Sequence, residues 1–134
     1  MTDKVILEGT PNQVLRTEME YDAWCKGALQ ESISYYAEEV HTLASKNGFW
    51  EDNPSDGEKI ALMHSELSEA LEALRKGDPP DDKIPEFKGS EAELADCIIR
   101  IMDFAHKKGL RLGEAIMAKH EFNKGRPYKH GKEF

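Results

Sequence analysis

Two pairs of acids have the spacing and setting to do chemistry. Glu66 and Glu69 lie in His64-Ser65-Glu66-Leu67-Ser68-Glu69, and Glu93 and Asp96 lie in Glu93-Leu94-Ala95-Asp96. Residues three apart on an α-helix differ by about 60° around its axis, so each pair points one way. If the two helices lie side by side, four carboxylates converge. Like charges in one cleft repel, and a bound cation relieves the repulsion. All-oxygen ligation suits Mg²⁺ or Mn²⁺ rather than zinc. Spacing alone does not single these pairs out. With 26 acids in 134 residues, roughly five such pairs arise by chance, and the chain has four. Context separates them: Glu66, Glu69, Glu93 and Asp96 sit beside apolar positions in the two most apolar helical segments.

The elements that must position these acids read as helices. Ser55 with Glu58 forms a capping-box pattern. It opens a helix to about Lys76, with Ile60, Met63, Leu67, Ala70, Leu71 and Leu74 as its apolar stripe and Gly77 as its stop. Ser90 with Glu93 gives a second such pattern. That helix runs to about Lys108, with Leu94, Cys97, Ile98, Ile101, Met102 and Ala105 inward and Gly109 at its end. The segment Gly77 to Gly89 contains Asp78-Pro79-Pro80-Asp81 and Pro85 and reads as a mobile surface loop. Upstream, Thr10-Pro11 looks like a helix start, with a short helix to about Trp24. A longer helix covers Lys26 to Lys46, with Leu29, Ile33, Tyr36, Val40 and Leu43 on one stripe and Asn47-Gly48 as its stop. A last helix spans about Leu112 to Phe122, and residues 123–134 form an irregular tail. The expected fold class is all-α, a four- to five-helix bundle in a single domain spanning residues 1–134.

Composition narrows the function classes. At 134 residues the chain holds one modest core, which a second copy of a small helical chain commonly completes. The net charge of -8, with 33% charged residues, argues against nucleic acid as a partner. If the ligand is a phosphate ester, cations must bridge acid to phosphate, or basic residues must gather locally. Cys25 and Cys97 are far apart in sequence and suggest neither a disulfide framework nor a zinc site. No apolar run has the length of a membrane span, and no signal-peptide pattern opens the chain. The expected location is cytoplasmic.

The run His-Ser-Glu-Leu-Ser-Glu-Ala-Leu-Glu, a loop, then Glu-Leu-Ala-Asp-Cys-Ile-Ile-Arg-Ile-Met-Asp resembles the all-α nucleoside triphosphate pyrophosphohydrolases, particularly the MazG-like proteins. Their pattern is E-E-x-x-E followed by E-x-x-D. Ser65 stands at the first position, a departure, and Glu66, Glu69, Glu93 and Asp96 match the rest. The ending Arg126-Pro127-Tyr128-Lys129-His130-Gly131 is also similar, and the resemblance covers about Leu29 to Phe134. It implies hydrolysis of a (deoxy)nucleoside triphosphate to monophosphate and pyrophosphate, with Mg²⁺ or Mn²⁺ on the four acids and Glu66 or Glu69 as general base. The expected assembly is a homodimer or dimer of dimers. The resemblance makes Lys119, Asn123, Arg126, Tyr128 and Lys129 candidates for binding substrate, within a C-terminal basic cluster. Trp50 either stacks on the base or caps the core. His64 turns roughly 160° from Glu66 and is a packed or substrate-side histidine. Asp103 either faces the site or pairs with Arg100 or Lys107.

Three rival readings remain. A ferritin-like di-iron bundle needs Glu-x-x-His on two helices, and the chain has only Glu38/His41. A helical interaction module would keep the fold without the chemistry. A phosphoribosyl-ATP pyrophosphohydrolase is a related enzyme class. Pyrophosphate release from a nucleotide panel separates enzyme from module.

Overall fold

A computed structural model describes residues 4–5 and 16–133, with side chains from residue 18 onward. Among the described residues the fold is all-α, with four α-helices: α1 (Glu18–Lys46), α2 (Asp56–Arg75), α3 (Gly89–Lys107) and α4 (Leu112–Lys124). The tail after α4 is irregular as expected: within the turn Tyr128–Gly131, Lys129 (φ 51°) and His130 (φ 53°) take left-handed backbone. A two-residue antiparallel pairing joins Lys4–Val5 (β1) to Arg16–Thr17 (β2). The chain divides into two compact units, Met1–Ser34 with Arg111–Phe134, and Tyr35–Leu110. Among the described residues, no helix is long and apolar enough to cross a membrane.

A short helix to about Trp24 and a longer one over Lys26 to Lys46 were expected where the structure has the single helix α1. The proposed start at Thr10-Pro11 lies outside the described residues. α1 passes without interruption through Trp24, Cys25 and Lys26. Gly27 is a lone helical glycine and does not break the ladder. The Lys26 ammonium lies 2.6 Å from the Asp22 carboxylate, an i,i+4 pair spanning the expected break. At the far end, Gly48 takes a φ of 85°. There Phe49 N–H donates to the Ala44 carbonyl and Gly48 N–H to that of Ser45, the Schellman closure.

In the unit Tyr35–Leu110, α2 begins as its sequence dictates. The Glu58 N–H donates to Ser55 Oγ (3.2 Å), and the Ser55 N–H donates to the Glu58 carboxylate (2.6 Å). The start of α3 differs from expectation. Its cap is Lys88, whose N–H donates to the Glu91 carboxylate at 2.8 Å. Ser90 lies inside the helix, where its N–H (2.9 Å) and Oγ (2.7 Å) both donate to Asp78. The connecting loop, expected to be mobile, is closely hydrogen-bonded. Asp81 accepts from the N–H groups of Lys83 and Ile84, and Gly89 N–H donates to the Pro79 carbonyl.

α2 and α3 pack extensively along their lengths. The α2 face in this contact is Lys59, Met63, Glu66 and Ala70, all buried. Met63 and Ala70 belong to the expected apolar stripe, whereas Ile60, Leu67, Leu71 and Leu74 remain exposed. On α3 the buried residues are Ser90, Ala92, Cys97, Asp103 and Ala105. Small residues allow a close approach, with Cys97 Sγ 3.6 Å from the Met63 carbonyl oxygen. Among the described residues, no large side chain is fully buried.

The other unit has one tight contact that tests its packing. A Cβ added at Gly113 would lie 3.0 Å from the Gln30 carbonyl oxygen and 3.1 Å from its Cα. Backbone cannot swing aside as a side chain can. Gly113→Ala is therefore expected to destabilise the chain by about 1–3 kcal/mol, measured by urea unfolding.

Candidate metal centre and adjoining cleft

The face of α2 that packs on α3 carries a glutamate among its apolar neighbours. Positions 59, 63, 66 and 70 advance by four, three and four, so they form one line along the helix. Glu66 is consequently buried, at 6% exposure. Glu69, one turn on, is exposed, and Glu93 on α3 is half-buried. Carboxylate oxygens of Glu66, Glu69 and Glu93 all lie within 4.8 Å of one another. Asp96, the fourth expected ligand, stands outside this group of three. It is exposed and lines the adjoining cleft, yet its charge still acts on Glu93.

The cluster is electrostatically unsatisfied. Burial is the first cause that pushes the Glu93 carboxyl above the ordinary glutamate value. A hydrogen bond with Glu66 and the charges of Glu69, Glu66 and Asp96 push it further. Among the described residues, one cation pairs with these four acids: Arg100 Nε donates to Glu66 Oε1 at 2.5 Å. Ser65, standing where the resembled family has glutamate, brings its hydroxyl to 3.5 Å from Glu69 Oε1, the outer limit of a hydrogen bond.

A cleft of about 230 Å³ adjoins the cluster, lined in part by Val40, Phe49, Ile99 and Arg100. Its polar end holds a network centred on Asp103, which is 7% exposed. Asp103 accepts from His41 Nδ1 at 2.7 Å and from Trp50 Nε1 at 2.9 Å, and lies 3.7 Å from the Lys59 ammonium. Lys59 also donates to the Phe49 carbonyl (3.2 Å) and sits 3.8 Å from the Trp50 ring centroid. Neither Arg100 nor Lys107, the expected partners of Asp103, makes the pairing. Trp50 is half-buried and anchored through its N–H, with one ring face against an ammonium. His64 is exposed rather than packed.

The contacts Ser45 Oγ to His41 Nε2 (3.3 Å) and His41 Nδ1 to Asp103 have the connectivity of a nucleophilic triad. Ser45 stands in the last turn of α1, where carbonyls rather than N–H groups project. That polarity is wrong for holding an oxyanion.

The remaining expected site residues belong to the other unit. There Asn123 Oδ1 is buried without a hydrogen-bond partner. Lys119 Nζ lies 5.3 Å from the Phe122 ring centroid, and Lys129 Nζ donates to the Glu133 carbonyl. Arg126 and Tyr128 are exposed. The residues of this region that the sequence reading did not place at the site are Lys59, His41 and Arg100. Lys59 shares the α2 line with Met63, Glu66 and Ala70, but only tertiary packing shows that this line is the buried one. A lysine in such a line must be paired. The contacts of His41 with Asp103 and of Arg100 with Glu66 join different helices and leave no local signal.

No family model, curated protein or solved structure matches the chain.

The donor set itself fits a hard divalent cation. It consists of carboxylate oxygens, close together, carrying more negative charge than one guanidinium offsets. Without a cation, the raised proton affinity of Glu93 ties stability to pH. Its contribution is fully present below the unfolded-state value and is lost as pH rises through the folded-state value. Metal-free protein should thus lose stability as pH rises above the ordinary glutamate range. Glu93→Gln should flatten that slope and raise the metal-free Tm at neutral pH by about 2–4 °C. Calorimetry across this pH range checks both.

Proposed function

We propose that the chain is a divalent-metal-dependent pyrophosphohydrolase that converts a (deoxy)nucleoside triphosphate to its monophosphate and pyrophosphate. The observation that carries this reading is the meeting of Glu66, Glu69 and Glu93 from two helices within 4.8 Å. The resemblance of the Glu66–Glu69 and Glu93–Asp96 segments to MazG-like proteins supports it. A polyphosphate cannot approach such a cluster unaided, since both are anionic.

Glu66, Glu69 and Glu93 would hold Mg²⁺ or Mn²⁺, with Asp96 beside them at the cleft. The cation would neutralise acid and phosphate alike and acidify a bound water. In the reaction, a water oxygen bonds to the α-phosphorus. The bond from that phosphorus to the α–β bridging oxygen breaks, and pyrophosphate leaves. The water's proton goes to a carboxylate. Glu69 suits that role better than Glu66, because it is exposed while Glu66 is buried against Arg100.

The test is release of pyrophosphate from a panel of nucleoside triphosphates with and without Mg²⁺ or Mn²⁺. Glu69→Gln and Asp96→Asn should each lower turnover by about 100-fold or more with an unchanged circular dichroism spectrum. Wild-type protein inactive toward the whole panel, or full activity in both variants, would overturn the reading.

The same reading includes a homodimer or dimer of dimers. Leu67, Leu71 and Leu74 on α2 and Leu94 and Ile98 on α3 are exposed in the single chain, large apolar side chains that a second copy would cover. Light scattering should give a dimer or tetramer, and Leu71→Glu should shift it toward monomer. A monomeric wild-type chain would contradict this part.

A further inference from the structure

We propose that Arg100 is a built-in counter-ion of the carboxylate cluster, holding Glu66 in the metal-free chain and competing with the divalent cation for it. This inference rests on the reading of Glu66, Glu69 and Glu93 as a metal centre.

Glu66 is the most buried of the acids, so water does least to stabilise its charge. Arg100 Nε supplies the stabilisation instead, at 2.5 Å from Oε1. A guanidinium does not lose its proton in a protein. It can yield Oε1 to a metal only by moving. The structure gives it somewhere to go: the Arg100 side chain is 35% exposed and lines the cleft beside Asp96. Lys59, the other cation lining the cleft, is committed to Asp103, Trp50 and the Phe49 carbonyl. It cannot replace Arg100 on Glu66 without breaking those contacts. Metal ligation at Glu66 Oε1 and release of Arg100 into the cleft are thereby one event. By linkage, an anion that holds the freed guanidinium in the cleft tightens metal binding, and metal tightens the anion.

The test is Mn²⁺ binding to the full chain without nucleotide, followed by titration calorimetry, alongside thermal unfolding of the metal-free protein. Arg100→Met keeps the length of the stem and removes the charge. It should bind Mn²⁺ about tenfold more tightly while its metal-free Tm falls. A structural defect alone would lower both stability and affinity. Arg100→Lys keeps a charge but not the directed Nε–H, and should bind about threefold more tightly. If the methionine variant does not fold, the lysine variant decides. Affinity unchanged or weaker in the folded variants overturns the counter-ion role and leaves the metal centre standing. Saturable Mn²⁺ binding in none of the three proteins removes the centre and this inference together.

Discussion

Repulsion among carboxylates brought together where α2 meets α3 is the constraint around which the rest of this structure is arranged. The packing of the two helices drives Glu66 inward along with Met63 and Ala70. Glu93, on the neighbouring helix, then has no distant place to put its charge. Burial first, then the hydrogen bond with Glu66 and the neighbouring charges, raises its proton affinity. A fold selected only for stability would place an apolar residue at 66, in line with its neighbours. Local features that oppose stability are commonly retained where a site needs them. Arg100 relieves part of the conflict, and a divalent cation would relieve more.

A second polar network reinforces the same region. Asp103 gathers His41 from α1, Trp50 from the turn after it, and Lys59 from α2. Each of these groups would be costly to bury alone, and together they satisfy one another. The network fixes the end of α1 and the start of α2 on α3. It thereby shapes the cleft that Asp96 and Arg100 also line. The site stands on helices held by hydrogen bonds from three directions, which suits a centre whose ligands must keep their positions.

Local chemistry was the part of this architecture most legible in the sequence. The Ser55–Glu58 box and the glycine after each of α1, α2 and α3 act within a few residues, so helix existence and most ends could be read directly. The acid pairs were equally visible, because i,i+3 spacing fixes their common direction. Features decided by distant partners were not. Ser90 looks like a cap until Asp78, twelve residues earlier, takes both its donors. The apolar stripe of α2 includes Leu67 and Leu71, and only tertiary packing shows that Lys59 and Glu66 occupy the buried line instead. The pairings of Asp103 and Arg100 likewise depend on which helices meet. Periodicity alone does not specify that.

A crystal structure of the chain soaked in Mn²⁺, with anomalous scattering recorded at the manganese edge, tests the central claim most directly. The account predicts an anomalous peak bonded to carboxylate oxygens of Glu66, Glu69 and Glu93, with the Arg100 guanidinium withdrawn from Glu66. Ordered side chains there with no peak between them, or manganese bound only at other acids, would contradict it.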